Sequence, residues 1–283
     1  CGSSSQKKDE PPVYSPLQVL VPEATGKETI GSSPMILDVS NISQGYFIAQ
    51  SDSSDLTCSL QIISPSGVLY SYFIAPGESA TVTFTEGSGD YTITGYQQVQ
   101  GDQYAALYSE TVTVQLENDF LPFLYPNQYV NFTPDSKASQ LALSLIDEDT
   151  VDVDALQQIY DYVVSNLTYD YEKADTVTTG YLPDVDETLK TGTGICFDYA
   201  ALTTAMLRSC DIPCKLQIGY AGDIKHAWID VYIRSKGWVN QAVSFKGDTW
   251  TLMDPTFDSN SDDKEAIQDY IGDESNYTVQ FTR

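Results

Sequence analysis

Three residues of this sequence have the types and order that thiol chemistry requires. Cys196 follows Thr191-Gly192-Thr193-Gly194 and opens the run Cys196-Phe197-Asp198-Tyr199-Ala200-Ala201-Leu202. Alanine and leucine are strong helix formers and Arg208 suits a negative helix end, so residues 196–208 predict a helix. A thiol on a first turn meets unpaired N–H groups and the positive dipole end, which favour the thiolate and lower the pKa. Gly192 and Gly194 leave room for a substrate to approach. His226 is the single histidine of the chain, so any imidazole chemistry must use it. It begins His226-Ala227-Trp228-Ile229-Asp230-Val231-Tyr232-Ile233. As a strand, that run turns Ile229, Val231 and Ile233 to one face and His226, Trp228, Asp230 and Tyr232 to the other. The first face suits a core and the second suits a cleft wall. Asp254 stands in Met253-Asp254-Pro255-Thr256-Phe257, where Pro255 stops a strand and holds the carboxylate at its end. A nucleophile, a base and a carboxylate that orients the base are the parts of an activated thiol.

The elements that must position these groups lie in the second half of the chain. From Asp154 the apolar positions Leu156, Ile159, Tyr160, Val163, Val164 and Leu167 recur at helical spacing, with Asp152 or Asp154 as cap. A polar loop follows over residues 173–190. After the Cys196 helix come three strand-like runs, 215–220, 227–233 and 249–253. Helices followed by strands indicate an α+β domain, assigned to residues 151–283. The front half reads differently. Seven short runs rich in Val, Ile, Tyr, Phe and Thr, separated by turns such as Ser64-Pro65-Ser66-Gly67 and Pro76-Gly77-Glu78, fall between residues 35 and 116. They predict an all-β immunoglobulin-like sandwich over residues 34–118. Residues 119–150 read as a connector and residues 1–33 as a flexible tether.

The three motifs together resemble the transglutaminase-like superfamily. Gly194-Ile195-Cys196-Phe197-Asp198-Tyr199-Ala200, His226-Ala227-Trp228 and Asp254-Pro255-Thr256-Phe257 stand in that family's order. The helix running into Leu167-Thr168-Tyr169-Asp170-Tyr171 supports the likeness, which covers roughly residues 150–258. The resemblance implies a papain-like core in which Cys196 is the nucleophile, His226 the base and later the acid, and Asp254 the group that orients the imidazole. It implies acyl transfer on amide bonds of peptides or proteins through a thioester. Hydrolysis is favoured over cross-linking. The Cys196 N–H is one expected oxyanion donor, with Tyr169, Tyr171 and Tyr181 as weak candidates for the second; Gly194, Trp228, Tyr169 and Tyr171 are the weaker substrate-side candidates. Asp198 reads as a first-turn helix charge. The alternative is a surface binding or scaffold module that keeps the fold and turns nothing over.

Charge and composition exclude other classes. A formal net charge of −26 opposes nucleic-acid binding. No Lys or Arg lies between Lys27 and Lys137, while that interval holds twelve acidic residues. One histidine rules out a multi-histidine metal site, and neither a metal nor a cofactor is expected. Asp258-Ser259-Asn260-Ser261-Asp262 has the spacing of calcium-loop ligands, but Asp263 stands where glycine is required, so it reads as a solvated acidic loop. Cys1-Gly2-Ser3-Ser4-Ser5 looks like the start of a mature bacterial lipoprotein, which places a lipid anchor on Cys1 and the chain on the outer face of a cell membrane. Cys58 reads as a buried apolar residue, and Cys210 and Cys214 as two free buried thiols, with a disulfide between them the alternative in an oxidising compartment.

Overall fold

The computed structural model describes residues 8–221, 224–246, 249–252 and 277–283. Cys1, Asp254 and the acidic loop 258–262 lie outside the described residues. The chain divides into two compact units, one of Cys1–Pro12 with Val21–Gln128, the other of Val13–Leu20 with Tyr129–Arg283.

The first unit is β-rich. Its strands are β1 (Thr29–Ser32), β2 (Met35–Asp38), β3 (Tyr46–Ser51), β4 (Cys58–Ile63), β5 (Leu69–Ile74), β6 (Ser79–Thr83), β7 (Gly89–Gln100) and β8 (Gln103–Val114). They form two four-stranded sheets, ordered β1-β2-β3-β6 and β5-β4-β7-β8, and every pairing is antiparallel. Alternation fixes which side of each strand is covered. In β5, Tyr70, Tyr72 and Ile74 are buried while Leu69 and Phe73 are exposed. Phe84 joins the core rings, at 5.5 Å from Phe47 and 4.8 Å from Tyr91.

Within residues 8–33, β1 pairs along its length with β2, and Val19 and Leu20 are buried. A polar average composition conceals these few apolar anchors. The expected connector 119–150 is divided between the units. Leu121–Phe123 forms a buried 3₁₀ turn of the first, and Val130 and Phe132 join the core of the second.

In the second unit, α1 (Lys137–Leu145) and α2 (Asp152–Asn166) precede β9 (Thr168–Tyr169), α3 (Tyr171–Thr176), α4 (Val185–Thr191) and β10 (Thr193–Gly194). Then come α5 (Cys196–Ser209), β11 (Cys214–Ala221), β12 (Ile224–Ile233), β13 (Gly237–Lys246), β14 (Thr249–Leu252) and β15 (Tyr277–Thr282). The last five strands form one antiparallel sheet in the order β14-β13-β12-β11-β15. Val151 occupies the N-cap position of α2 with no side-chain cap bond, Asp152 and Asp154 lie in its first turn, and the expected loop 173–190 holds helical turns in α3 and α4.

Helix α5 is the axis of this unit. From Asp198 to Ser209 every residue is buried, which requires a helix that is apolar or satisfied all round. Ala138 and Ala142 of α1, Leu156, Ile159 and Val163 of α2, and Leu216, Ile229, Val231 and Ile233 of the sheet share its core. The one cation of α5, Arg208, is fully buried rather than facing solvent. Its Nε and Nη2 donate to the Cys214 carbonyl at 3.1 and 2.8 Å, and Nη2 donates to the Arg283 carbonyl at 2.9 Å. Burial pulls its pKa down to about 10, so it keeps its charge at neutral pH. Cys210 and Cys214 are buried free thiols whose pKa burial pushes up to about 12.

Candidate active site

Cys196 is the first residue of α5, with Ile195 as the N-cap in an extended conformation. The first N–H groups of a helix have no intrahelical acceptor, so they face whatever sits at this end. Across from it lies β12. The Ala227 amide donates toward the Cys196 sulfur, which sets the thiol against the backbone at the His226 end of that strand. Ala227, Ile229, Val231 and Ile233 turn into the core, as alternation predicts, and His226 emerges on the opposite side, half-buried. Its Nδ1 is buried without a hydrogen-bond partner among the described residues. Burial lowers the imidazole pKa below its ordinary 6.5, so the neutral, proton-accepting form prevails at neutral pH.

The thiol does not follow the expectation for a helix start. Burial pushes its pKa above the ordinary value. The amides of Ala227, Phe197 and Cys196 itself pull it back, and the negative charge of Asp198 adds to the rise. Desolvation and a neighbouring carboxylate outweigh the helix end here. A thiol of this kind needs a base to become a nucleophile.

Asp198 is a first-turn charge of α5, as expected, but a buried one. Its side chain is fully buried, and Oδ2 accepts the Ile195 N–H at 2.9 Å, which closes the first turn. The same carboxylate pairs with Lys173 Nζ at 2.8 Å and accepts the Tyr181 hydroxyl, and Lys173 also donates to the Tyr181 oxygen at 2.6 Å. Burial pulls the Lys173 pKa down, but the bonds to Asp198 and Tyr181 more than restore it, so the net shift is upward. Burial, with Asp198, pushes Tyr181 to about 12. Lys173 therefore stands as an ammonium and Tyr181 as a neutral phenol at neutral pH. Sequence reasoning missed this cluster because no local spacing links a lysine, a tyrosine and an aspartate spread over residues 173–198.

The cluster changes the reading of Gly194. A Cβ there would lie 2.7 Å from Asp198 Cβ and 3.2 Å from Oδ2, so the absent side chain makes room for Asp198, not for a substrate. Gly192 is the left-handed C-cap of α4, at φ 65°. Gly194→Ala is expected to destabilise the fold by about 1–3 kcal/mol through overpacking, read as a lower urea midpoint with unchanged slope. An unchanged midpoint contradicts this packing.

The other sequence candidates separate. Tyr169 pairs in register with Gly194 through β9 and β10, which holds it beside the turn that precedes Cys196. Tyr171 opens α3, is mostly exposed, and meets Tyr169 edge-on at 5.0 Å. The Tyr181 hydroxyl is committed to Asp198. Trp228 is 2% exposed and packs edge-on against Tyr277 at 5.3 Å, so it is a packing residue rather than a cleft wall. Tyr277 belongs to β15, a strand the sequence does not advertise, which extends the same sheet beside β11. Among the described residues, no group of three metal-ligating side chains converges.

Residues 139–255 match the family model described as the transglutaminase-like superfamily, so the second unit carries a transglutaminase-like domain. That span includes Cys196, His226 and Asp254. No curated protein sequence matches the chain. Among solved structures, a candidate cysteine protease from Cytophaga hutchinsonii is 16% identical, with a TM-score of 0.38; the match covers 90% of this chain and 84% of that one. A candidate protease from Parabacteroides distasonis is 14% identical, with a TM-score of 0.32, over 66% of this chain and 38% of that one.

Proposed function

We propose that the second unit is a cysteine peptidase or amidase that cleaves amide bonds through a thioester. The observation that carries this reading is the seat of Cys196: first on a buried helix, with its sulfur against the Ala227 amide next to the chain's single histidine. In this reading His226 takes the thiol proton as the sulfur attacks the carbonyl carbon. A C–S bond forms and the carbonyl electrons move onto oxygen, where the Cys196 N–H stabilises them. The tetrahedral adduct collapses, the C–N bond breaks, and the imidazolium returns its proton to the leaving amine. Water, deprotonated by His226, then attacks the thioester. The C–S bond breaks and the free thiol is regenerated. Asp254 is assigned the role of holding the imidazole. The match over residues 139–255, with these three residues in the family's order, supports that assignment.

Cys196→Ala is expected to abolish labelling by an electrophilic peptide probe and to leave amide hydrolysis at the uncatalysed level. Labelling that persists in this variant, or is absent from the wild type across pH 5–10, overturns the reading. A non-catalytic reading draws on one observation, the upward shift of the Cys196 thiol, and it predicts the second of those outcomes. For the first unit we propose an immunoglobulin-like sandwich, supported by the two antiparallel sheets and the exchange of strands between them after β3, β5 and β6.

A further inference from the structure

The second unit holds a cavity of about 360 Å³ that the thiol chemistry does not use. Its wall includes Asp211, just past the end of α5, together with Asp147, Glu148 and Asp152 and the single cation Arg234. Leu17, Ile146, Ala155 and Ile212 supply apolar surface. The volume lies in the range of small-molecule sites. α5 is 14 residues long, so the cavity lies about 20 Å from Cys196, at the opposite end of the helix.

Asp211 is the unusual member. It is 6% exposed, yet neither carboxylate oxygen has a hydrogen-bond partner among the described residues. Its backbone is held at φ 59° by the helix ending, where the Ile212 N–H donates to the Leu207 carbonyl at 3.1 Å. The left-handed conformation is uncommon for a residue with a Cβ. Burial pushes its pKa up to about 7; the Gln18 and Tyr14 amides and the Arg234 charge offset part of that rise. Buried carboxylates are ordinarily paired, and this one faces a cavity instead.

We propose that this cavity binds an alkylammonium group, with Asp211 as the counter-charge and the apolar wall receiving the stem. An organic cation fits better than a metal ion. Among the described residues no three ligating groups converge, and most of the wall is apolar, which a hydrated metal ion does not use. The chemistry is common to a free amine and to a lysine side chain of a peptide.

The test is titration of the full chain with n-butylammonium, followed by calorimetry and by the shift in melting temperature, with n-butanol as the uncharged equivalent. Saturable binding of n-butylammonium is expected, with n-butanol at least about tenfold weaker. Asp211→Asn keeps the shape and removes the charge, and is expected to weaken binding at least about tenfold. Glu148→Lys changes an exposed wall position and sets a tethered ammonium there, with the same expected loss. Cys196→Ala is expected to bind as the wild type does, which separates this site from the fate of the thiol. N-acetyl-lysine amide, compared with n-butylammonium, reports the source: tighter binding of either supports the site and names its natural ligand class. Absence of saturable binding, equal binding of n-butanol, or unchanged affinity in both charge variants overturns the proposal.

Discussion

His226→Gln is expected to slow alkylation of Cys196 at neutral pH by about 10²–10⁴-fold. The two pKa directions give the sign. Burial raises the thiol and lowers the imidazole. In the wild type, reaction therefore depends on a neutral imidazole, and its acid limb falls below pH 6.5, the ordinary histidine value. The variant has only the thiol's own ionisation. Its rate should climb with pH through a midpoint above 9.0, the ordinary value for this thiol. The rate constant for iodoacetamide, measured against pH in both proteins, checks this. Two superimposable profiles mean that His226 does not serve Cys196.

Asp198→Ala is expected to destabilise the second unit by about 3 kcal/mol. Three groups lose their acceptor together: the Ile195 N–H, the Tyr181 hydroxyl and the Lys173 ammonium. A lost N-terminal acceptor costs about 1 kcal/mol, and an orphaned buried donor about 1–3. The Lys173 side chain is 30% exposed, so water recovers part of its loss. Asp198→Asn should lose less, because its side-chain oxygen still accepts from Ile195. The same two variants should move the thiol the other way. Asp198 raises the Cys196 pKa, so removing its charge lowers it. Lower urea midpoints with a more acidic thiol separate this positioning role from simple loss of packing. A thiol pKa that rises or stays fixed contradicts it.

The elements that carry Cys196 and His226 were legible because each has a strong local period. The Ala-Leu run after Cys196 can only bury itself as a helix, and the alternation after His226 sorts a core face from a second face. What escaped is what local period does not encode. Helix α1 did carry Ala138, Leu141, Ala142 and Leu145 at helical spacing, but polar neighbours hid a nine-residue element. β13 was missed because its alternation breaks. Gln241 sits at φ 54° in a bulge opposite Asp230 and donates its N–H to that carboxylate at 2.8 Å. β15 was missed because a strand that closes a sheet from 56–65 residues away looks like any exposed polar run. The sign of the thiol shift was misjudged for a related reason. The helix end is visible in sequence, whereas the burial that outweighs it is a property of the assembled core.

The strand β15 also sets an order of synthesis. It forms the outer edge of the five-stranded sheet, where Leu216 and Arg283 exchange backbone hydrogen bonds at 3.0 and 2.8 Å. Arg208, buried in the middle of the unit, needs the same Arg283 carbonyl. A nascent chain can therefore close the first unit once residue 128 has emerged from the ribosome, but the thiol-bearing unit stays unfinished until residue 283 has been made. Until then β11 presents an open edge, the kind of surface on which strands of other chains add. The helix that holds the nucleophile also keeps a cation short of one acceptor. Maturation of the candidate active site is thus tied to synthesis through residue 283 rather than to the local sequence around Cys196.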